Sequence, residues 1–196
     1  EVLNNDGALA EDPEALERRL GRIGERLKEV EGLNVKTSYG TDLRIGFRAG
    51  LRKWEKDTDA EGIAPGYWYN LPWGEIYTTP DENLVDGILM LPVLQDDVSR
   101  EQGVDEFVRL TIKGGKITNI DGRESAEKLR QYLQEKSQDE TNPFSVAQIS
   151  EVAFGANSKA RSKVRNTEGL WSDRGVSVTE AEKRLGTMHL AIGSSQ

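Results

Sequence analysis

Lys113-Gly114-Gly115-Lys116 separates two apolar, strand-like runs, Phe107–Ile112 and Ile117–Ile120. Two consecutive glycines tolerate the positive φ angles of a tight turn, so this stretch predicts a β-hairpin. A hairpin joins neighbouring antiparallel strands, and it therefore indicates a sheet that is at least partly antiparallel.

A second hairpin is predicted nearer the N-terminus, where Asn34–Ser38 and Leu43–Arg48 flank a turn at Gly40. Helical periodicity is confined to segments outside the two hairpins. This segregation predicts an α+β fold with a mixed, largely antiparallel sheet, several hairpins and a few flanking helices. The 196 residues fit a single domain, with residues 1–32 as a helical lead-in and residues 33–196 as a sheet-based core.

The remaining elements follow from hydrophobic spacing and from start and stop signals, with Asp12 placed to cap the first helix. Loops are expected over residues 52–66 and 157–174. The predicted helices and strands are helices over Pro13–Glu31, Ser125–Lys136 and Thr179–Leu185, strands over Val85–Leu91 and Thr187–Gly193, and the segment Val146–Gly155, which is ambiguous between strand and helix.

The amino-acid composition excludes several classes of partner and binding site. Acidic residues outnumber basic ones by 34 to 26, and the net charge of −8 works against nucleic-acid binding. No apolar run is long enough to span a membrane. Neither nucleic acid nor a membrane is therefore expected as a partner. The absence of cysteine excludes disulfides and thiolate metal sites. The chain begins without a methionine or a secretion signal, which suggests a fragment or a processed product.

Three side chains that can bind metal ions lie within apolar, small-residue segments. They are Glu75 in Gly74–Tyr77, Glu151 in Ser150–Gly155 and His189 in Met188–Gly193, and His189 is the only histidine. A lone carboxylate or imidazole in such a setting is costly unless it is paired, neutralised or bound to a cation. The three segments therefore suggest a metal site.

Each of these residues also has a structural interpretation. In isolation Glu75 fits a half-exposed strand carboxylate, and Glu151 fits either role equally well. His189 alone fits a hydrogen-bonded histidine in the core or at a sheet edge. The flanking sequence is what favours the metal-binding interpretation.

That flanking sequence resembles a known family in three blocks that occur in the same order. The blocks are similar to Asn-Leu-Pro-Ala-Gly-Glu-Val-Phe-Thr-Ala-Pro, Gly-Glu-Val-Ala-Leu-Gly-Thr-Asn and His-Ile-Ala-Leu-Gly of the thermophilic metallo-aminopeptidases, the aminopeptidase T family. The resemblance covers about Thr37 to Gly193. The matching stretches here are Asn70-Leu71-Pro72-Trp73-Gly74-Glu75-Ile76-Tyr77-Thr78-Thr79-Pro80, Ser150-Glu151-Val152-Ala153-Phe154-Gly155-Ala156-Asn157 and His189-Leu190-Ala191-Ile192-Gly193.

The resemblance implies a cytoplasmic, homodimeric aminopeptidase that removes N-terminal residues from peptide substrates. In that family two divalent cations, zinc, cobalt or manganese, activate a water molecule. Glu75, Glu151 and His189 match metal ligands, with Glu75 as the catalytic base and Glu151 as a bridging ligand. The family's tyrosine after the histidine block and its His-x-Asp pair have no counterpart in this sequence.

Two other functions remain open. Some relatives of the aminopeptidases resemble ring-cleaving dioxygenases, which use one ferrous ion, held by two histidines and an aspartate, to open dihydroxypyridines. His189 would keep its role in such an enzyme, while the glutamates would become less essential. The third possibility is a non-catalytic homologue with an incomplete metal site.

Overall fold

The structure is a computed structural model that describes residues 7–48, 52–58, 70–91, 107–137, 147–161, 164–165, 171–172 and 178–193. The helices within these ranges are α1 (Pro13–Leu27), α2 (Glu124–Ser137) and α3 (Val178–Lys183). The strands are β1 (Gly32–Lys36), β2 (Asp42–Gly46), β3 (Glu55–Asp57), β4 (Glu75–Thr78), β5 (Val85–Leu91), β6 (Val108–Lys113), β7 (Lys116–Asp121), β8 (Ile149–Gly155), β9 (Val164–Arg165), β10 (Trp171–Ser172) and β11 (Met188–Ile192).

The chain divides into two compact units, and two of the boundaries between them fall within β8 and β11. The first contains Glu1–Glu29, Lys53–Thr78 and Val152–His189; the second contains Val30–Arg52, Thr79–Glu151 and Leu190–Gln196. Within the described residues, two larger antiparallel sheets, the two-stranded pairing of β9 with β10 and a few helices confirm the predicted α+β class. Organisation as a single domain over residues 1–196 stays a prediction.

The second unit is built on a five-stranded antiparallel sheet of order β1-β2-β5-β6-β7. Both predicted hairpins are confirmed, with positive φ angles at Gly40, Gly114 and Gly115. A side chain at Gly115 would overlap the carbonyl oxygen of Glu82, so the turn needs glycine there for space as well as for conformation. The sheet's buried residues include Leu43, Ile45, Val85, Val108, Leu110 and Ile112.

The first unit packs α1 against a sheet. That sheet has the strand order β11-β8-β4-β3, and β4 pairs antiparallel with both β3 and β8. Leu16 and Leu20 of α1 are buried against Ile76 of β4 and Ala156. Their four-residue spacing puts them on one face of the helix, which is the face that the sequence pattern predicts to be apolar.

Several predicted boundaries differ from the structure. The side chain of Asp12 accepts a hydrogen bond from the Glu14 amide and caps α1, as predicted. However, α1 ends at Leu27 instead of Glu31, because the chain must turn before Gly32 enters β1. The predicted loop over residues 52–66 contains β3, an edge strand stabilised by pairing with β4. No helix in the described part of the chain is long and apolar enough to cross a membrane.

Candidate functional site

Glu75 is the first residue of β4, and its side chain is buried. The preceding Gly74 has a φ of 131°, a conformation that favours glycine. A side chain at Gly74 would also lie 2.6 Å from the Cβ of Asn157. The glycine at position 74 therefore lets the backbone pass close to Asn157, and this fixes the point from which the Glu75 side chain projects.

Asn157 connects three separate chain segments of the first unit. Its Nδ2 donates hydrogen bonds to the carbonyl oxygens of Ala8, at 3.0 Å, and Trp73, at 2.8 Å. Its Oδ1 accepts from the amides of Lys159 and Ala160, both at 2.9 Å. All the hydrogen-bonding groups of this buried amide are thus used, and they fix the chain just before Glu75.

Asp57 and Glu75 are cross-strand partners in the β3–β4 register. Side chains that are directly opposite in an antiparallel pair project from the same face, and two like charges in that position repel each other. Both carboxylates are largely withdrawn from solvent. Such a pair needs a positive charge nearby to remain ionised.

Lys183 supplies that charge. It is the last residue of α3, and its side chain is only 1% exposed. Its Nζ donates to Oε1 of Glu75 and lies 3.5 Å from Oδ2 of Asp57. A buried lysine is costly unless it is paired, and here two carboxylates pair with it.

Gly155 allows α3 to come close enough for this contact. It lies opposite Glu75 on β8, and a side chain there would sit 2.3 Å from the carbonyl oxygen of Arg184. The close approach is held by the Asn157 amide, which donates to the Lys183 carbonyl at 2.8 Å, and by the Gly155 amide, which donates to the Thr187 carbonyl at 3.0 Å. The end of α3 is therefore fastened to β8 through the backbone.

His189 completes the cluster. Its Nε2 lies 3.3 Å from Oε2 of Glu75, an electrostatic contact that lacks the geometry of a direct hydrogen bond. At 18% its side chain is more exposed than those of Glu75 and Lys183. The structure therefore brings together two of the three predicted site residues, Glu75 and His189. Glu151 belongs to the second unit, and its metal-binding role stays a prediction.

Lys183 and Asp57 were not identified from the sequence. Lys183 lies in an ordinary, highly charged segment, Glu180–Arg184, and Asp57 lies in the predicted loop. No local pattern signals that either side chain is buried. Only the pairing of β3 with β4 and the packing of α3 on β8 bring them to Glu75.

Burial raises the pKa of Asp57 to about 6. The nearby Lys183 charge opposes this rise, and the Glu75 carboxylate adds to it. The pKa of Asp57 therefore lies well above the usual range of an aspartate, although a cation is within reach.

The cluster does not by itself form a complete metal site. Within the described residues no three histidine, aspartate or glutamate side chains are grouped to hold a metal ion. Lys183 already pairs with both Asp57 and Glu75. A common iron site in oxygenases uses two histidines and one carboxylate, whereas the sequence holds one histidine. His189 is thus a candidate for one ligand only.

Comparisons with known proteins decide the family. The family model described as NicX, 2,5-dihydroxypyridine 5,6-dioxygenase, matches residues 9–193. The chain belongs to the NicX family. The 2,5-dihydroxypyridine 5,6-dioxygenase of Pseudomonas putida KT2440 is 30% identical over 162 residues, which cover 77% of this chain and 43% of that protein.

Solved structures agree on the fold. The structure of the 2,5-dihydroxypyridine dioxygenase from Pseudomonas putida KT2440 gives a TM-score of 0.75 at 24% identity, covering 96% of this chain and 51% of that one. AmpT from Thermus thermophilus gives a TM-score of 0.60 at 20% identity, covering 95% of this chain and 43% of that one. The chain spans about half the length of these relatives.

The assignment to the aminopeptidase T family was therefore wrong, and so were the functions that it implied: hydrolase, metallopeptidase, aminopeptidase and protease. The similarity to AmpT extends to the fold alone. The three matching sequence blocks include β4, β8 and β11, which all lie in one sheet, so they belong to the fold that the two proteins share. NicX-family membership still supports a metal cofactor, although it does not identify the ion.

Proposed function

We propose that this protein is a ring-cleaving dioxygenase that acts on a dihydroxylated pyridine. The observation that carries the proposal is the NicX-family match over residues 9–193. The identity of 30% to a 2,5-dihydroxypyridine 5,6-dioxygenase supports the same class of substrate. By its name, that enzyme acts at ring carbons 5 and 6 with dioxygen.

We propose ferrous iron as the physiological metal, in preference to zinc, cobalt or manganese. Zinc has no redox chemistry, and sites with histidine and carboxylate ligands and open positions are typical of ferrous oxygenases. Of the described cluster, His189 suits such a site because its imidazole is a nitrogen donor and is partly accessible. Asp57 and Glu75 are less suited, because Lys183 pairs with both.

The residues of the first unit give His189 a defined environment. The Glu75 carboxylate lies beside the imidazole, and Lys183 balances the charge of that carboxylate. The backbone contacts of Gly155 and Asn157 fix the end of α3, which carries Lys183. A fixed imidazole needs no rearrangement to act as a ligand, which is the usual advantage of supporting hydrogen bonds and packing around a metal site.

The test is oxygen consumption by purified protein loaded anaerobically with ferrous iron. We expect 2,5-dihydroxypyridine to cause uptake of one dioxygen per substrate consumed, and zinc-loaded protein to cause none. A leucine chromogenic substrate serves as the control for the rejected peptidase activity. Absence of oxygen uptake by iron-loaded protein at saturating substrate would refute the proposal.

Action in the cytoplasm and assembly as a homodimer stay predictions, and light scattering of the purified protein would test the second. The lack of nucleic-acid and membrane partners also stays a prediction. For nucleic acid it is supported by the net charge of −8, which opposes attraction to phosphate.

A further inference from the structure

We propose that the ammonium group of Lys183 occupies the position between Asp57 and Glu75 where a metal ion would otherwise bind. These two carboxylates therefore bind no metal ion, and Glu75 instead positions His189. The inference concerns how the cluster is charged and assembled. It does not rest on the ring-cleaving reaction, but the positioning role rests on the proposed metal-binding role of His189.

The first argument is that the cation position is already taken. Lys183 Nζ donates to one oxygen of Glu75 and approaches one oxygen of Asp57 to 3.5 Å. A divalent ion shared by the same two oxygens would have to occupy the same space. Because the lysine side chain is almost fully buried, it cannot swing into solvent to make way without a large rearrangement.

The second argument is that the position of the lysine is fixed by the fold. The carbonyl of Lys183 accepts from the Asn157 amide, and the carbonyl of Asn157 accepts from the Leu185 amide at 2.8 Å. Gly155 provides the space for this segment, since any side chain there would strike the carbonyl oxygens of Glu182 and Arg184. Three backbone features thus direct one ammonium group to the two carboxylates.

The third argument concerns the remaining oxygen of Glu75. Oε2 lies 3.3 Å from Nε2 of His189, while Oε1 pairs with Lys183. At this distance the carboxylate attracts the polar imidazole ring electrostatically and favours one ring orientation, without a direct hydrogen bond. Carboxylates that accept a hydrogen bond from a metal-binding histidine orient the ring in a comparable way. Glu75 is placed for that supporting role, and it is a positioning residue instead of a ligand.

Metal stoichiometry is the first test. Wild-type protein and Glu75→Gln are dialysed against saturating ferrous iron without oxygen, or against zinc, and bound metal is counted by mass spectrometry. We expect equal stoichiometry, with binding weakened by about 10- to 100-fold in the variant, because the orientation of His189 is lost. Loss of one bound ion at saturation in Glu75→Gln would overturn the proposal.

Removal of the lysine is the second test. In Lys183→Met, two buried carboxylates lose their counter-ion, and we expect one additional bound divalent ion, which the double variant Lys183→Met/Glu75→Gln loses again. Lys56→Met is the matched control. Lys56 lies next to Asp57 on β3 and pairs with Glu17 of α1, but its side chain is partly exposed. If circular dichroism shows Lys183→Met to be folded, failure to gain an ion contradicts the proposal. If it is unfolded, the Glu75→Gln stoichiometry decides.

Spectroscopy separates positioning from general structural support. Because His189 is the only histidine, tag-free protein labelled with ¹⁵N-histidine gives the signals of one imidazole. We expect Glu75→Gln to shift the Nε2 resonance of the metal-free protein and Lys56→Met to leave it unchanged. An unchanged resonance in Glu75→Gln would contradict the positioning role, whether or not the protein cleaves pyridine rings.

Discussion

Nε2 of His189 lies 3.3 Å from Oε2 of Glu75, and the other oxygen of the same carboxylate pairs with the buried Lys183. The two residues lie on β11 and β4, which are separated in the sheet by β8. This arrangement makes the stability of the first unit depend on charge balance inside a largely buried cluster.

Replacement of Lys183 by Met should destabilise the protein by about 3–5 kcal/mol, because two buried carboxylates lose their partner. Chemical denaturation monitored by tryptophan fluorescence measures the change. Lys56→Met removes a partly exposed ion pair and should cost no more than about 1 kcal/mol. Equal losses in the two variants would show that Lys183 has no special role.

The pKa of Asp57, raised to about 6, predicts a specific pH dependence. The folded state favours the neutral form, so the stability that this group contributes is fully present below its ordinary pKa of 3.8 and is lost as pH rises through about 6. The free energy of unfolding of the wild type, minus that of Asp57→Asn, should fall by on the order of 2–3 kcal/mol between pH 4 and pH 7. A constant difference across this range would contradict the burial of Asp57.

Asn157→Ala should lose about 2–4 kcal/mol of stability, because it leaves buried backbone groups of three chain segments without their partners. Asn119, which is exposed on β7, is the matched control, and its replacement by Ala should change stability by less than about 0.5 kcal/mol. Thermal melting of both variants gives the comparison. A small effect at Asn157 would mean that its four hydrogen bonds do not hold the site.

Alanine substitutions at two glycines should change the free energy of unfolding in opposite directions. Gly155→Ala forces a Cβ against the carbonyl oxygens of Glu182 and Arg184, and should cost about 1–3 kcal/mol. Gly21→Ala lies in α1 with no atom nearby and should add about 0.5–1 kcal/mol. Urea denaturation measures both. Destabilisation by Gly21→Ala, or none by Gly155→Ala, would contradict the packing described.

Local signals explain what the sequence predicted well. The hairpins at Gly40 and Gly114-Gly115 and the cap at Asp12 depend on a few neighbouring residues, and all are present in the structure. The strand over Val85–Leu91 matches in full. By contrast, β3 is a short charged edge strand whose stability comes from pairing with β4, and nothing in its own composition indicates a strand.

The site was only partly predictable for the same reason. Glu75 and His189 stand out because they interrupt apolar runs, whereas Lys183 and Asp57 lie among other charged residues. Their burial depends on contacts between distant segments. The family was assigned wrongly because the matching blocks belong to one sheet of a fold that the chain shares with AmpT, and the similarity to AmpT extends to the fold alone.

Isotope incorporation tests the proposed ring cleavage most directly. Iron-loaded protein is incubated with 2,5-dihydroxypyridine under ¹⁸O-labelled dioxygen, and the product is analysed by mass spectrometry. The account predicts a ring-opened product that carries both labelled oxygen atoms. Unchanged substrate, or a product labelled only when the oxygen comes from water, would contradict it.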